Sequence, residues 1–278
     1  MKIFGILASV AVAAAVSAVG MAQAPAPRPY YLVNCVKVKP DKGPEFDKWA
    51  ADSLHKVAQA RIDSGTITTW LLLRAVLPAG KDNECDYQTV SFYPGIPSKP
   101  LEAAELDDLM KKAGLTTEQY RQSRNASSEL ATSGMYQMVV NTGSVEKGDY
   151  VVLGYLKVKE PAIVNEQKWI DFETKAWKPI SELLIEKGIT RGWSVDARML
   201  PDGAALPFDG LTVDVYPSWE AIFKLQDDPN FPEYWKKVHP DMDFEATFEE
   251  YEKYRTVVRE ELWVVQDMIA AKPAAGHK

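Results

Sequence analysis

The residues best placed to do chemistry lie in two short stretches, Trp193 to Arg198 and Leu211 to Tyr216. Strand alternation in the first puts Trp193 and Val195 on one face and Ser194, Asp196 and Arg198 on the other. A hairpin closed through the LPDG at Leu200 to Gly203 is expected to turn Leu211, Val213 and Val215 toward the side of Trp193. Thr212, Asp214 and Tyr216 are then expected to share the side of Asp196. That register sets Asp196 near Thr212 and diagonal to Asp214, about 7 to 8 Å away. Two carboxylates, a guanidinium and a phenol on one face can hold a polar ligand. They can also move a proton, with Asp196 or Asp214 as base and Tyr155, Tyr216 or Arg198 steadying a developing oxyanion. The same residues read equally as a self-satisfied Asp–Arg bridge, because buried charges need partners.

Other chemistry has little to work with. The chain has no phosphate loop, no GxSxG, no HExxH and no paired CxxC. Its three histidines are His55, His239 and His277, too few and too scattered for a metal site that needs converging ligands. No metal and no cofactor is expected. His239 stands before Pro240, where a turn and a solvated or capping histidine are expected.

The elements that position these residues come twice. YYLVNCVKVK at Tyr30 is answered by YVVLGYLKVK at Tyr150, Trp49 by Trp169, Gly65 by Gly188, Trp70 by Trp193, LPAG by LPDG and Tyr93-Pro94 by Tyr216-Pro217. The early pairs are offset by 120 and the later ones by 123, so a three-residue insertion in the first helix of the second copy reconciles them. Each copy reads strand, helix, strand, strand, helix, strand. In the first copy these are Tyr30 to Lys39, a helix to Ser64, Thr66 to Arg74, Tyr87 to Tyr93, helices over Leu101 to Ala113 and Thr117 to Leu130, and Met135 to Asn141. In the second they are Tyr150 to Lys159, a helix over 165–187 bent by Pro179, Arg191 to Met199, Leu211 to Tyr216, helices at Trp219 to Leu225 and Phe244 to Arg259, and Leu262 to Asp267. The counterparts of Asp196, Arg198 and Asp214 are Leu73, Ala75 and Ser91, so charge stands in one copy only.

This doubled order, with a tryptophan in each first helix, one opening each second strand and Tyr-Pro ending each third, resembles the dimeric α/β-barrel superfamily of ferredoxin-like proteins. The resemblance implies an α+β fold: two tandem βαββαβ repeats whose antiparallel sheets pack face to face as a barrel, both halves from one chain. The Asp196 face then points into the barrel. The superfamily holds cofactor-independent monooxygenases, isomerases and haem-binding proteins, so fold sets a prior and no more. The leading expectation is a small organic molecule bound in the barrel interior. The alternatives are a cofactor-independent monooxygenase or isomerase, a haem protein with His239 as axial ligand, and a purely structural envelope protein.

Residues 1–22, Lys2 followed by an apolar, alanine-rich run, have the layout of a signal peptide. The expected division is signal peptide 1–22, Pro/Ala linker 23–29, repeats 30–147 and 148–267, and tail 268–278. The expected location is periplasmic or secreted, with no stable membrane insertion after cleavage. Removing 1–22 leaves 31 basic against 39 acidic residues, a balance that argues against nucleic acid as partner. A homodimer stays open.

The only cysteines are Cys35 and Cys85, an even pair in a chain expected to be exported. In a ferredoxin-like sheet the first and third strands are neighbours, which implies a Cys35–Cys85 disulfide on the interior face, Cys85 sharing its face with Tyr87 and Thr89. The alternative is two small unpaired residues. The counterparts in the second copy are Tyr155 and Phe208, aromatics that could touch instead.

Overall fold

The computed structural model describes residues 28–80, 83–97, 102–203 and 205–272. The signal-peptide segment 1–22, most of the linker and the end of the tail lie outside the described residues. Eight strands form one antiparallel closed barrel: β1 (Tyr30–Val38), β2 (Thr69–Leu77), β3 (Tyr87–Tyr93), β4 (Ser128–Gly143), β5 (Tyr150–Val158), β6 (Gly192–Leu200), β7 (Gly210–Tyr216) and β8 (Arg255–Ala270), in the ring order β1-β3-β2-β8-β5-β7-β6-β4. Each repeat supplies four adjacent strands. The seams are β2 with β8, where Trp70 faces Ile269, and β4 with β6, where Tyr136 faces Arg198. One chain therefore closes the barrel without a second copy.

The seam strands β4 and β8 run 16 residues each, far beyond Met135 to Asn141 and Leu262 to Asp267. Their leading halves are mostly exposed and polar, so they carry no apolar alternation to betray them. Arg255 to Arg259 is accordingly strand, not the end of a helix, and β8 continues through Ala270, past Asp267.

Helices cover the outside. In the first repeat α1 (Gly43–Trp49) and α2 (His55–Asp63) form one rod joined by a π turn at Ala50–Leu54. α3 (Ala103–Lys112) and α4 (Thr117–Ser127) follow, α4 starting at a capping box between Thr116 and Gln119. In the second, α5 (Ala162–Phe172), a π turn at Glu173–Trp177 and α6 (Lys178–Glu186) make the matching rod. Pro179 sits in the first turn of α6, but the equivalent π turn in the first repeat has no proline after it. The wider winding thus belongs to the position in the fold and not to Pro179. α7 (Trp219–Gln226), α8 (Phe231–Val238) and α9 (Phe244–Tyr251) complete the shell.

Both faces of the sheet are buried. Inside the barrel lie Tyr31, Leu71, Val90, Leu153, Leu211 and Trp263, while Trp70 and Trp169 pack between sheet and helices.

Candidate functional site

Asp196 projects from the middle of β6, between Met138 of β4 and Leu211 of β7, and is 1% exposed. Ser194, two residues earlier on the same face, donates a hydroxyl bond of 2.9 Å to its Oδ2. Tyr31 reaches the same carboxyl from β1, over the intervening strand β4. The other oxygen, Oδ1, is buried without a hydrogen-bond partner. Burial pushes the carboxyl up to about 7, against the pull of the Ser194 and Tyr31 hydroxyls. Burial and the Asp196 charge hold the Tyr31 phenol well above its ordinary range, so it stays a donor.

This carboxyl edges an interior cavity of about 160 Å³ whose other walls include Leu71, Val90, Val151, Leu153 and Val213. One end of it is lined by the β4–β5 link. There Gly143 has φ of 77°, and a side chain on it would strike the Arg191 carbonyl at 2.2 Å, while one on Gly192 would meet the Ser144 carbonyl at 2.4 Å. Both glycines are what let the link pass so close to the opening of β6.

The β6–β7 register differs from the expected one by a single residue. Asp196 is opposite Leu211, Val195 opposite Thr212 and Trp193 opposite Asp214. Because side chains alternate, that shift turns a whole strand over. Leu211, Val213 and Val215 line the interior, whereas Thr212, Asp214 and Tyr216 lie beneath the helices and do not join Asp196. Asp214 is half-buried, its carboxyl raised to about 7 by burial, with Glu173 and Glu260 adding repulsion. Burial likewise raises the Tyr216 phenol, and Asp214 and Glu260 add to it.

Tyr155 and Arg198 do point inward, but into a second cavity of about 220 Å³ at the other end of the barrel. Tyr155 donates to Glu261 Oε2 at 2.7 Å, and Arg259 pairs with both Glu261 at 3.2 Å and Glu84 at 3.1 Å. Arg198 lies over the Phe208 ring at 4.4 Å. The same cavity is walled by the Cys35–Cys85 disulfide, whose Cα atoms are 5.3 Å apart. Cys85 precedes β3 and lies inside the barrel, but Tyr87 and Thr89 do not share its face: Tyr87 packs under α1 against Phe46, and Thr89 bonds Asn34. Cys35 is level with Gln88, and the chain before β3 folds back to bring Cys85 to it.

Three contributors escaped the sequence reading. Tyr31 was visible as an interior residue, yet β1 and β6 are not neighbours and no local pattern joins it to Asp196. Arg259 falls in the stretch that reads as helix, Phe244 to Arg259, and Glu261 in the gap before the strand expected from Leu262, whereas both lie in β8. A further pocket of about 220 Å³ between the first repeat's helices and sheet is lined by Asn34, Trp49, Arg61 and Ser91, and the Trp49 and Arg61 ring and guanidinium nitrogens Nε1 and Nε are buried there without partners. The repeat itself carries the signal for it: Asn34, Arg61 and Ser91 become Gly154, Leu184 and Asp214 in the second copy.

Neither described histidine stands free as a haem ligand. His239 caps α8, is buried, packs its ring on Trp235 and places Nε2 2.7 Å from the Ala176 carbonyl oxygen. His55 Nδ1 lies 2.6 Å from Asp267 Oδ2. Among the described residues no group of three or more histidines, cysteines or carboxylates is placed to hold a metal, and no helix is long and apolar enough to cross a membrane.

No family model and no curated relative matches the sequence. Solved structures do match. A candidate monooxygenase from Lactobacillus acidophilus NCFM is 14% identical, with 88% of this chain and 97% of that one covered at a TM-score of 0.50. Another candidate monooxygenase, from Fusobacterium nucleatum subsp. nucleatum ATCC 25586, is 11% identical over 88% of this chain and 95% of that one, at 0.53. These likenesses show the fold alone: the chain has the architecture of the dimeric α/β-barrel superfamily, closed within one polypeptide.

Proposed function

We propose that this single-chain α/β barrel binds a small, mostly apolar molecule in its interior and fixes it through one hydrogen-bond donor given to Asp196. The observation that carries the reading is the buried, partnerless Oδ1 of Asp196 at the edge of a mostly apolar cavity. A buried acceptor left unmade costs about 1–3 kcal/mol, and a ligand hydroxyl or N–H would recover it. The size fits a single ring, since an apolar cavity of about 150 Å³ accommodates benzene.

A catalytic form of the reading rests on the same group. A carboxyl that titrates near 7 beside a protonated phenol suits proton abstraction next to a carbonyl, with Asp196 as base and Tyr31 donating to the developing oxyanion. Asp214 and Tyr216 have no part in it, because they face the helices. Haem chemistry through His239 is not proposed, its Nε2 being committed to a backbone carbonyl.

Export belongs to the same proposal. The signal-like segment 1–22 supports it, as does a disulfide of the kind that persists in oxidising compartments. Fractionation of cells expressing the full chain tests this part: a species beginning near Gln23 in the periplasm or medium is expected, and an uncleaved cytosolic species would refute it. Titration of phenol against benzene, in the native protein and in Asp196→Asn, tests the binding.

A further inference from the structure

The cavity at the other end of the barrel carries a second assignment, independent of Asp196. Two guanidiniums and two carboxylates meet there, but they are not paired one to one. Arg259 takes both acids, Glu261 at 3.2 Å and Glu84 at 3.1 Å. Arg198 has no carboxylate among the described residues. Among the described residues its side chain makes one hydrogen bond, a long one of 3.5 Å from Nη1 to the Phe208 carbonyl, and its Nε is buried with no partner. The Phe208 ring, 4.4 Å from the guanidinium carbon, holds the flat face of the group and leaves its edge for something else.

The fold does not require a cation at this place, for the equivalent residue of the first repeat is Ala75. A charged group kept where alanine suffices, with a buried N–H unmatched, is a group that lacks its acceptor. Tyr136, level with Arg198 across the β4–β6 seam, lines the same space. Burial lifts its phenol to about 12, with Arg198 and Arg259 pulling it back and Asp196 and Glu84 pushing it up, so the hydroxyl stays a donor. The remaining walls join an apolar part, the Cys35–Cys85 bridge, Val33, Leu153 and Leu211, to a polar one of Gln88, Thr132, Ser133 and the Glu84 carboxylate that Arg259 holds.

We propose that this end of the barrel is an anion site that takes a small organic carboxylate, its two oxygens on the edge of the Arg198 guanidinium and its apolar body against the disulfide and Phe208. Arginine is suited to this because its planar fork matches a carboxylate in a bidentate pair, a geometry that lysine lacks.

Benzoate and its uncharged isostere benzamide, titrated calorimetrically into the full chain at low salt, test the assignment. Saturable benzoate binding at least tenfold tighter than benzamide is expected, and added salt should weaken it. Arg198→Gln should lose tenfold or more in benzoate affinity while phenol binding at the Asp196 cavity stays unchanged, and Asp196→Asn should leave benzoate unchanged. Equal binding of benzoate and benzamide by the native protein would overturn the proposal, and this comparison decides even if Arg198→Gln does not fold. Benzoate affinity that survives in folded Arg198→Gln, or that falls in Asp196→Asn instead, would overturn it as well.

Discussion

The Tyr155 ring meets the Phe208 ring edge-on, centroids 4.8 Å apart, at the two positions that answer Cys35 and Cys85 of the first repeat. Both pairs tie the second half of a first strand to the loop that precedes a third, and both wall the same cavity. One half of the barrel makes the tie with a covalent bond and the other with two aromatic rings. Replacing both cysteines by alanine frees a loop of 50 residues, a loss of about 4 kcal/mol in the loop-entropy account. Phe208→Ala should cost about 3–5 kcal/mol, as aromatic deletions in cores do. Urea unfolding monitored by tryptophan fluorescence measures both, and a loss below about 1 kcal/mol in either would show that the two ties are not equivalent.

The raised Asp196 carboxyl makes stability depend on pH with a definite sign. The folded state holds this proton up to about 7, whereas an unfolded aspartate releases it near 3.8. The contribution is therefore complete below the unfolded value and is lost as pH rises toward 7, an effect of about 4 kcal/mol. Asn resembles the neutral acid, so Asp196→Asn should match the native protein at pH 4 and exceed its stability at pH 8. Equal stability of the two proteins at pH 8 would mean that Asp196 is not held protonated.

The register assigns opposite roles to neighbours on β7. Val213→Trp should fill the interior cavity and abolish binding of a ring-sized probe such as phenol, while Asp214→Asn, on the helix side, should leave it intact. Saturation-transfer NMR on the two variants reads this directly. Loss of binding in Asp214→Asn with retention in Val213→Trp would restore the register in which Asp214 faces the interior.

That register marks where the sequence stops being legible. The repeat, the order of its strands and the rods expected from Gly43 and Asn165, which begin at Gly43 and Ala162, can be read from spacing, because glycines, tryptophans and Tyr-Pro pairs punctuate both copies alike. Alternation tells which residues share a face but not which face looks inward, and here both faces are buried, so Leu211, Val213 and Val215 fit either side. The direction is set by pairing across the 201–209 loop, whose length does not fix it. Asp196 was recoverable because its strand neighbours Trp193 and Val195 are bulky in a way the helices require. Its partner Tyr31 is not, since that contact passes over β4 between strands that do not pair with each other. The polar leading halves of β4 and β8 gave no apolar period at all, which concealed Arg259 and Glu261.

The proposed hydrogen bond from an interior ligand to Asp196 is decided by phenol against benzene. The two differ by the hydroxyl alone, and a bond to a charged acceptor contributes about 1.5–3 kcal/mol. At pH 8 the native protein should bind phenol at least tenfold more tightly than benzene by calorimetry, and Asp196→Asn should narrow that gap while leaving benzene unchanged. Equal affinities for phenol and benzene in the native protein, or no saturable binding of either, would contradict the account.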